Sequence, residues 1–251
     1  MSAPLAIILA AGKGTRMDNN LPKVLCRVCG RAMIDFVLDA LEGAGVKRFL
    51  VVVGYRADDV RRELSSREGV EFIEQIEQLG TGHAVAVCRS NIEQHDGAVV
   101  ILAGDSPLVR SESLSKLLGQ FSASRPACIL GTVISSNPQG LGRIVRDDNG
   151  GFLGIVEERD ASPEQKQIQE VNMSTYVFNC RDLLFALERM SDNNKQGEYY
   201  LTDCPGILKA HGLDVQAHAV LHPSEALSIN TVDELAAAEA QMRRLGNPCA
   251  N

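Results

Sequence analysis

The sequence predicts an α/β protein built on a doubly wound, mostly parallel, Rossmann-like sheet. Three observations support this prediction. Apolar runs typical of buried strands alternate with amphipathic stretches typical of helices. The first apolar run, residues 5–9, is unbroken, as in a strand that is buried on both faces of a parallel sheet. A glycine-containing loop follows it directly, at the position where ligands bind in open α/β sheets.

Strands and helices alternate regularly through the first half of the chain. Apolar residues from Met33 to Leu41 recur at helical spacing, and Gly43 and Gly45 end this helix. Further strands are predicted at residues 49–53, 70–75, 98–103 and 127–134, and helices at residues 57–66, 83–91 and 113–121. This order is typical of a sheet with helices on both faces.

The pattern changes near residue 137, where a β-hairpin is predicted. Residues 143–146 and 152–157 flank the turn sequence Asp147-Asp148-Asn149-Gly150-Gly151. Strands at 172–178 and 215–220 and helices at 182–190 and 201–210 follow. The last helix begins with a capping box formed by Thr231 and Glu234. The hairpin therefore interrupts an otherwise alternating α/β chain.

The loop after the first strand has the composition of a phosphate-binding loop. It reads Leu9-Ala10-Ala11-Gly12-Lys13-Gly14-Thr15-Arg16-Met17, and Lys23 follows shortly after it. Glycines let backbone N–H groups approach a phosphate closely, and the cations supply charge. The spacing of its glycines excludes the Walker pattern, and Met17 stands where a dinucleotide-binding loop has its third glycine. An ordinary strand-to-helix turn is the alternative.

Charge and hydropathy exclude two classes of partner. The formal net charge of −7 provides no basic field for nucleic acid. No apolar run approaches the roughly 18 residues of a membrane span. The residues before the first strand lack the features of a signal peptide. We therefore expect a cytoplasmic protein with neither a nucleic-acid nor a membrane partner, and with an oligomeric state that the sequence does not specify.

The seven cysteines are scattered, and their odd number favours reduced thiols. Cys26 and Cys29 have the C-x-x-C spacing of redox and zinc sites. Because no second pair of ligands completes a zinc site, we expect structural thiols. A redox role for this pair is an alternative.

Four motifs together resemble a known family. They are L-A-A-G-x-G-T-R-M with L-P-K at residues 9–23, Q-x-x-Q-x-G-T at 75–81, G-x-G-R-I at 140–144, and G-E-Y-Y-x-T-D at 197–203. The chain resembles the sugar-phosphate nucleotidyltransferases, and within them the bacterial N-acetylglucosamine-1-phosphate uridylyltransferases, the pyrophosphorylase domain of a bifunctional enzyme. The resemblance implies a nucleotide-diphospho-sugar transferase fold with the hairpin as a lid on the sugar side.

The resemblance also implies a domain organisation. Residues 1–251 would form a single nucleotidyltransferase domain, with residues 1–110 as the nucleotide-binding half and residues 111–230 as the sugar-binding half. Residues 231–251 would form a C-terminal helix and tail. The hexapeptide repeats of the acetyltransferase half of the bifunctional enzyme do not occur in this sequence.

Resemblance to the family assigns residues to the nucleotide. Arg16 and Lys23 would be catalytic, neutralising the triphosphate and the leaving pyrophosphate. The expected nucleotide-binding residues are Leu9, Ala10, Ala11, Gly12, Gly14, Thr15, Lys23, Gln75, Gln78, Gly80 and Thr81. A glutamine amide suits uracil because it both donates and accepts hydrogen bonds. His83, with no partner visible in the sequence, is expected on the surface of a helix.

The family likeness assigns the metal and sugar sites as well. Asp105 ends a predicted strand, and Asp105 and Asn230 would bind Mg²⁺, which prefers hard oxygen ligands. The expected sugar-binding residues are Gly104, Gly142, Glu157, Asn172, Tyr200 and Thr202. The family usually has Asn-Thr-Gly where this sequence has Asn172-Met173-Ser174. This departure bears on sugar selectivity more than on nucleotide transfer.

The expected reaction is direct, in-line attack of a sugar-1-phosphate oxygen on the α-phosphorus of UTP, which releases pyrophosphate. UTP and N-acetylglucosamine-1-phosphate are the expected substrates, and Mg²⁺ is the expected cofactor. Because the attacking phosphate is already ionised, no general base is required. Two alternatives remain. The enzyme could use another sugar phosphate, of glucose or N-acetylmuramic acid, or the chain could be a non-catalytic nucleotide-sugar sensor.

Overall fold

A nine-stranded sheet forms the centre of the molecule. The computed structural model describes residues 2–13, 21–227, 229 and 231–245. Its strands are β1 (Leu5–Ala10), β2 (Arg27–Val28), β3 (Arg31–Ala32), β4 (Arg48–Val53), β5 (Val70–Glu74), β6 (Ala98–Ala103), β7 (Cys128–Ile134), β8 (Gly142–Arg146), β9 (Phe152–Val156), β10 (Glu170–Asn179) and β11 (Val215–His218). Strands β2 and β3 pair only with each other, in a separate short ribbon.

The described part of the chain contains eight α-helices. They are α1 (Met33–Gly43), α2 (Ala57–Glu63), α3 (Thr81–Ala86), α4 (Arg89–Glu93), α5 (Ser111–Ser124), α6 (Cys180–Leu187), α7 (Asp203–Ala210) and α8 (Val232–Arg244). Short 3₁₀ turns occur at Lys23–Leu25, Gln165–Gln167 and Pro223–Ala226. None of the helices in the described ranges has the length and apolar character needed to cross a bilayer.

The main sheet has the strand order β11-β7-β10-β6-β1-β4-β5, with β8 and β9 branching from β10. Strand β1 pairs in parallel with β4 and β6, and β4 pairs in parallel with β5. Strand β10 runs antiparallel between β6 and β7. The predicted α/β fold with a mostly parallel central sheet is thus confirmed, with β10 as an antiparallel insertion that the sequence pattern did not reveal.

Both faces of the sheet are covered, as the unbroken apolar run of β1 predicts. Leu5 and Ile7 point into a core shared with α3, α4, α6 and α7. Ala6 and Ile8, on the opposite face, join a core shared with α1, α2 and α5. All four residues are fully buried. Alternate side chains of one strand therefore fill two separate layers, which is the reason the run shows no polar interruption.

Most predicted elements are present, with their ends shifted by up to three residues. The predicted helix at 83–91 is two helices, α3 and α4, separated by residues 87–88, and the predicted helix at 201–210 begins at Asp203. The predicted hairpin is present as the antiparallel pair β8 and β9. The capping box of α8 is also present, with Thr231 Oγ1 accepting from Glu234 N and Glu234 Oε2 accepting from Thr231 N.

The cysteines within the described residues follow the sequence prediction except at one position. Five of them form no disulfide and are buried, namely Cys26, Cys88, Cys128, Cys180 and Cys204. Burial raises the pKa of the Cys88 thiol to about 12, so this thiol is unreactive at neutral pH. Cys29 is disulfide-bonded, so the expectation of a reduced thiol is wrong there. The C-x-x-C pair is not closed on itself, because Cys26 forms no disulfide.

Candidate active site

The carboxyl ends of β1, β5 and β6 open onto a cavity of about 460 Å³. These strands all belong to the parallel part of the sheet, so their carboxyl ends lie at the same edge. The cavity is lined by Leu9, Ala11, Gly12, Lys23, Val24, Gln75, Gln78, Gly80, Thr81, Ala84, Ala103, Asp105, Ser174 and Glu198. It is the place where the sequence predicts the nucleotide.

Eight of the predicted nucleotide-binding residues line this one cavity. They are Leu9, Ala11, Gly12, Lys23, Gln75, Gln78, Gly80 and Thr81. Ala10 is not among the lining residues, because its side chain points into the core on the opposite face of the sheet. Gly14, Thr15 and Arg16 lie outside the described residues, so the catalytic assignment of Arg16 stays a prediction.

Gly80 forms the sharp entry into α3. Its φ of +110° is a backbone conformation that L-amino acids rarely adopt. A Cβ at this position would also lie 2.5 Å from the carbonyl oxygen of Tyr199. The segment at Tyr199 is fixed here by hydrogen bonds from Gly82 N to Tyr199 O (2.7 Å) and from Tyr199 N to Leu79 O (2.8 Å). Glycine is therefore required so that this loop can border the cavity.

Lys23 and Asp105 form an ion pair on the cavity wall, with 2.5 Å between Nζ and Oδ2. Both side chains are mostly buried, with 17% of Lys23 and 28% of Asp105 exposed. Both also line a second, smaller cavity of about 170 Å³. Lys23, which is predicted to bind phosphate, and Asp105, which is predicted to bind a metal ion, therefore lie where the two cavities adjoin.

Asp105 fits a divalent cation by its chemistry and by its position. It offers a partly exposed carboxylate, which is a hard oxygen ligand, on the walls of both cavities. Asn230, the second predicted ligand, lies outside the described residues. Its chain neighbour Ile229 is buried and lines the smaller cavity together with Asp105.

Four of the predicted sugar-binding residues form one cluster. Gly142 pairs with Asn172 across β8 and β10, and a Cβ on Gly142 would lie 3.7 Å from Oε1 of Glu157. Thr202 Oγ1 donates to Glu157 Oε1 at 3.0 Å. Asn172 lines the smaller cavity and donates from Nδ2 to Tyr176 Oη at 2.7 Å. Residues from four separate segments thus meet in one cluster, and Asn172 connects it to this cavity.

The carboxyl of Glu157 is strongly influenced by its surroundings. Burial raises its pKa, the hydrogen bond from Thr202 opposes this rise, and repulsion from Asp203 and Asp160 adds to it. Burial likewise raises the pKa of Asp203, with a further contribution from Asp160. The ionised form of Glu157 is therefore destabilised by its surroundings. A hydroxyl donor from a ligand would stabilise this form.

Two predicted sugar-binding residues have other surroundings. Tyr200 is 7% exposed, and its hydroxyl accepts from Nε2 of Gln196. Gly104 directly follows β6, which pairs with β1, and its N–H donates to Leu9 O at 2.9 Å. A Cβ at Gly104 would lie 3.0 Å from that same oxygen, so close packing explains the glycine. Neither residue lines either of the two cavities, and their contact with a substrate stays a prediction.

Two relationships could not be read from the sequence. The side chain of Arg143 is 2% exposed and donates to Glu158, a residue that resembles a solvated hairpin charge in the sequence. Burial alone would raise the pKa of Glu158, but the hydrogen bonds from Arg143 and from Gly140 N–H lower this pKa. His83 was expected on the surface of a helix. It lies in α3 with intermediate exposure, and its Nδ1 lies 3.1 Å from Nε2 of Gln75. Charged and polar residues far apart in a sequence give no signal of such pairing.

Comparison with known proteins identifies the family. Residues 6–204 match the model of the MobA-like NTP transferase domain. The chain is 42% identical over 239 residues to a protein named Bifunctional protein GlmU from Lactococcus lactis strain IL1403, covering 95% of this chain and 52% of the relative. It is 43% identical to the protein of the same name from Clostridioides difficile strain 630, covering 95% of this chain and 51% of the relative.

A third relative, from Pelotomaculum thermopropionicum, carries the same name and is 43% identical over 95% of this chain and 52% of its own length. The chain thus spans about half the length of the curated relatives that it matches. The family model covers most of the described residues, including the strands that form the cavity edge. From the shared sequence and from the site on the carboxyl edge of the sheet, we conclude that this chain belongs to the MobA-like NTP transferase domain family.

Proposed function

We propose that this chain is a uridylyltransferase that makes UDP-N-acetylglucosamine and pyrophosphate from UTP and N-acetylglucosamine-1-phosphate. The larger cavity would hold the nucleotide, and the smaller cavity, with the cluster around Glu157 and Asn172, would hold the sugar phosphate. The single observation that carries the proposal is the position of Lys23 and Asp105. They line both cavities, at the place where two phosphates would have to meet.

The relatives support the proposal through their names and their similarity. Proteins named Bifunctional protein GlmU match 95% of this chain at 42–43% identity. We propose the same division of the chain as the sequence suggested, with residues 1–110 as the nucleotide half, 111–230 as the sugar half and 231–251 as the C-terminal helix and tail. A cytoplasmic location also stays a prediction.

The reaction requires two anions to approach each other in line, so charge is the main barrier. Lys23, fixed by its ion pair with Asp105, would donate to phosphate oxygens and stabilise the negative charge that develops on pyrophosphate. A Cβ added to Gly12 would have no other atom within 4 Å. The open space leaves room for a phosphate beside the backbone. Arg16 is proposed to add a second cation from the same loop.

Asp105, with Asn230 as the proposed second ligand, would hold Mg²⁺. When bound, the ion supplies Lewis-acid stabilisation and charge neutralisation to the phosphates. On the sugar side, Glu157 and Asn172 would accept from and donate to hydroxyl and acetamido groups. The burial of Glu157 makes each hydrogen bond from a ligand more favourable than it would be in water.

One observation favours a second candidate within the same class. Met173 and Ser174 both line the smaller cavity, where the family usually has threonine and glycine. A bulkier wall at this point would leave less space and so favour a smaller sugar-1-phosphate, such as that of glucose. The nucleotide side of the site is the same for both candidates.

A pyrophosphate-release assay tests the proposal. The protein is incubated with Mg²⁺ and each pair formed from UTP, CTP or TTP and the 1-phosphates of N-acetylglucosamine, glucose and N-acetylmuramic acid. We expect the highest kcat/KM with UTP and N-acetylglucosamine-1-phosphate. A preference for another sugar would support the second candidate. UTP binding without pyrophosphate release for any sugar would indicate a nucleotide-sugar sensor instead.

A further inference from the structure

We infer that His83 is a specificity-determining residue, which positions the amide of Gln75 so that it offers only an acceptor to the nucleobase and thereby favours uridine over cytidine. The inference rests on the proposed function in one respect, since it places a nucleoside triphosphate in the larger cavity. It goes beyond that function because it assigns the choice of base to a residue that does not line the cavity.

The hydrogen bonds of Gln75 leave its amide one orientation. Its Nε2 lies 3.1 Å from the carbonyl oxygen of Gly80 and 3.1 Å from Nδ1 of His83. A carbonyl oxygen can only accept, so the nitrogen and not Oε1 must face Gly80. The two N–H groups of Nε2 then serve two acceptors, Gly80 O and His83 Nδ1. No N–H of this amide remains for a ligand.

The same hydrogen bond sets the tautomer of His83. Because Gln75 Nε2 can only donate, Nδ1 of His83 must accept, and the ring proton is on Nε2. Gln75 is 3% exposed, so water cannot replace a lost partner at low cost. His83 therefore occupies an N–H group of Gln75 that would otherwise turn toward another acceptor.

Gln75 lines the nucleotide cavity, so its remaining hydrogen-bonding group, Oε1, is the one available to a ligand. Uracil carries a donor at N3, between two carbonyl acceptors. Cytosine carries an acceptor at N3. An acceptor-only amide satisfies the uracil N3–H and opposes the cytosine N3. If an N–H of Gln75 were released, it would satisfy cytosine instead.

The test measures binding of UTP and CTP by titration calorimetry on the full chain, in the absence of sugar phosphate. His83→Leu removes the acceptor, and we expect the preference for UTP over CTP to fall by about tenfold. His83→Asn keeps an acceptor at the δ position and should retain the preference. His211→Leu, on the exposed end of α7, is the matched control and should change nothing.

His83→Arg provides a second, opposite test. Its side chain can only donate, so it cannot accept from Nε2 of Gln75, and one amide N–H is released for the base. We expect the preference to shift toward CTP. This variant tests the inference even if the His83→Leu protein does not fold. Unchanged preference in a folded His83→Leu or His83→Arg protein would overturn the inference. Because binding is measured directly, a lack of pyrophosphate release would count against the proposed function and not against this assignment.

Discussion

Arg143 donates from Nη2 to Oε2 of Glu158 across 2.7 Å, and the same carboxylate oxygen accepts the backbone N–H of Gly140 at 3.2 Å. A second N–H group of Arg143 donates to the carbonyl oxygen of Leu141. Gly140 and Leu141 line the smaller cavity. The ion pair thus holds the turn that forms one wall of the proposed sugar site.

Replacing Glu158 should affect sugar binding and stability together. In Glu158→Ala the Arg143 guanidinium stays buried without its partner, and we expect a loss of about 2 kcal/mol in the free energy of unfolding. The KM for the sugar phosphate should rise about tenfold while the KM for UTP stays unchanged. Steady-state kinetics and urea unfolding measure both effects.

Glu93→Ala is the matched control, because it breaks the Arg89–Glu93 ion pair, whose two side chains are 42% and 50% exposed. An exposed pair of this kind contributes about 0.5 kcal/mol or less. A Glu158→Ala protein with unchanged KM for the sugar phosphate would show that the turn at Gly140 does not depend on the ion pair.

Lys23→Ala should lower turnover far more than it lowers sugar affinity. The ammonium is proposed to stabilise charge that develops as pyrophosphate leaves, and loss of such a donor costs about 100-fold in kcat. Lys116→Ala, at an exposed position of α5, should retain the kcat of the unmodified protein. Nearly full turnover in Lys23→Ala would remove this residue from the mechanism.

Asp105→Ala should weaken the binding of divalent cations to the protein. Mn²⁺ binding followed by electron paramagnetic resonance, in the presence of UTP, measures the site without relying on turnover. We expect weaker Mn²⁺ binding in Asp105→Ala and unchanged binding in Asp148→Ala, an exposed residue in the hairpin turn. Equal Mn²⁺ binding in both variants would refute Asp105 as a ligand.

Glu157→Gln should make stability less dependent on pH. The pKa of Glu157 in the folded protein is raised above the value of 4.5 for a free side chain, mainly by burial. Its stabilising contribution is therefore complete below pH 4.5 and is lost as the pH rises through the folded-state pKa. The glutamine keeps an oxygen that can accept from Thr202 and carries no charge.

The Tm of Glu157→Gln minus that of the unmodified protein should thus be largest at neutral pH and should decrease toward pH 4.5. Differential scanning calorimetry across this range measures the difference, and sugar affinity should fall in the same variant. A Tm difference that grows as the pH falls would mean that the carboxylate is stabilised in the folded protein.

Ser174→Gly should increase stability. Ser174 has a φ of +51°, a conformation that costs an L-residue more than glycine. We expect a gain of about 0.5 kcal/mol, after allowing for the greater freedom of glycine in the unfolded chain. Arg125→Gly, at the C-terminus of α5 with a φ of +50°, is the control for the same backbone effect away from the cavities. A less stable Ser174→Gly protein would mean that side-chain contacts outweigh the backbone strain.

The sequence predicts the parallel core because burial on both faces leaves a readable pattern. The unbroken apolar run of β1 indicates its central place, and glycines mark the turns that border the cavity. Eight of the residues that line the larger cavity could be singled out from the sequence, because the residues at strand ends from Leu9 to Gly12 and from Gln75 to Thr81 are contiguous motifs. Such motifs can be recognised in a sequence because their residues are close together along the chain.

Contacts between distant segments could not be predicted in this way. The antiparallel direction of β10 depends on pairing with β6 and β7, which no local pattern encodes. In the sequence, His83 resembles any polar residue of a short helix, and only the structure shows its contact with Gln75. In the sequence, Glu158 resembles a solvated charge, and only the structure shows that it pairs with the buried side chain of Arg143. These relationships depend on tertiary packing, which a single sequence does not display.

The shared wall of the two cavities has a consequence for inhibitor chemistry. Lys23, Ala103, Asp105 and Ser174 border both spaces, so fragments seated on either side would lie only a side chain apart. Joining two weak fragments by a short tether raises the effective concentration of the second to the millimolar range or above. A compound that bridges this wall should therefore bind far more tightly than either fragment alone.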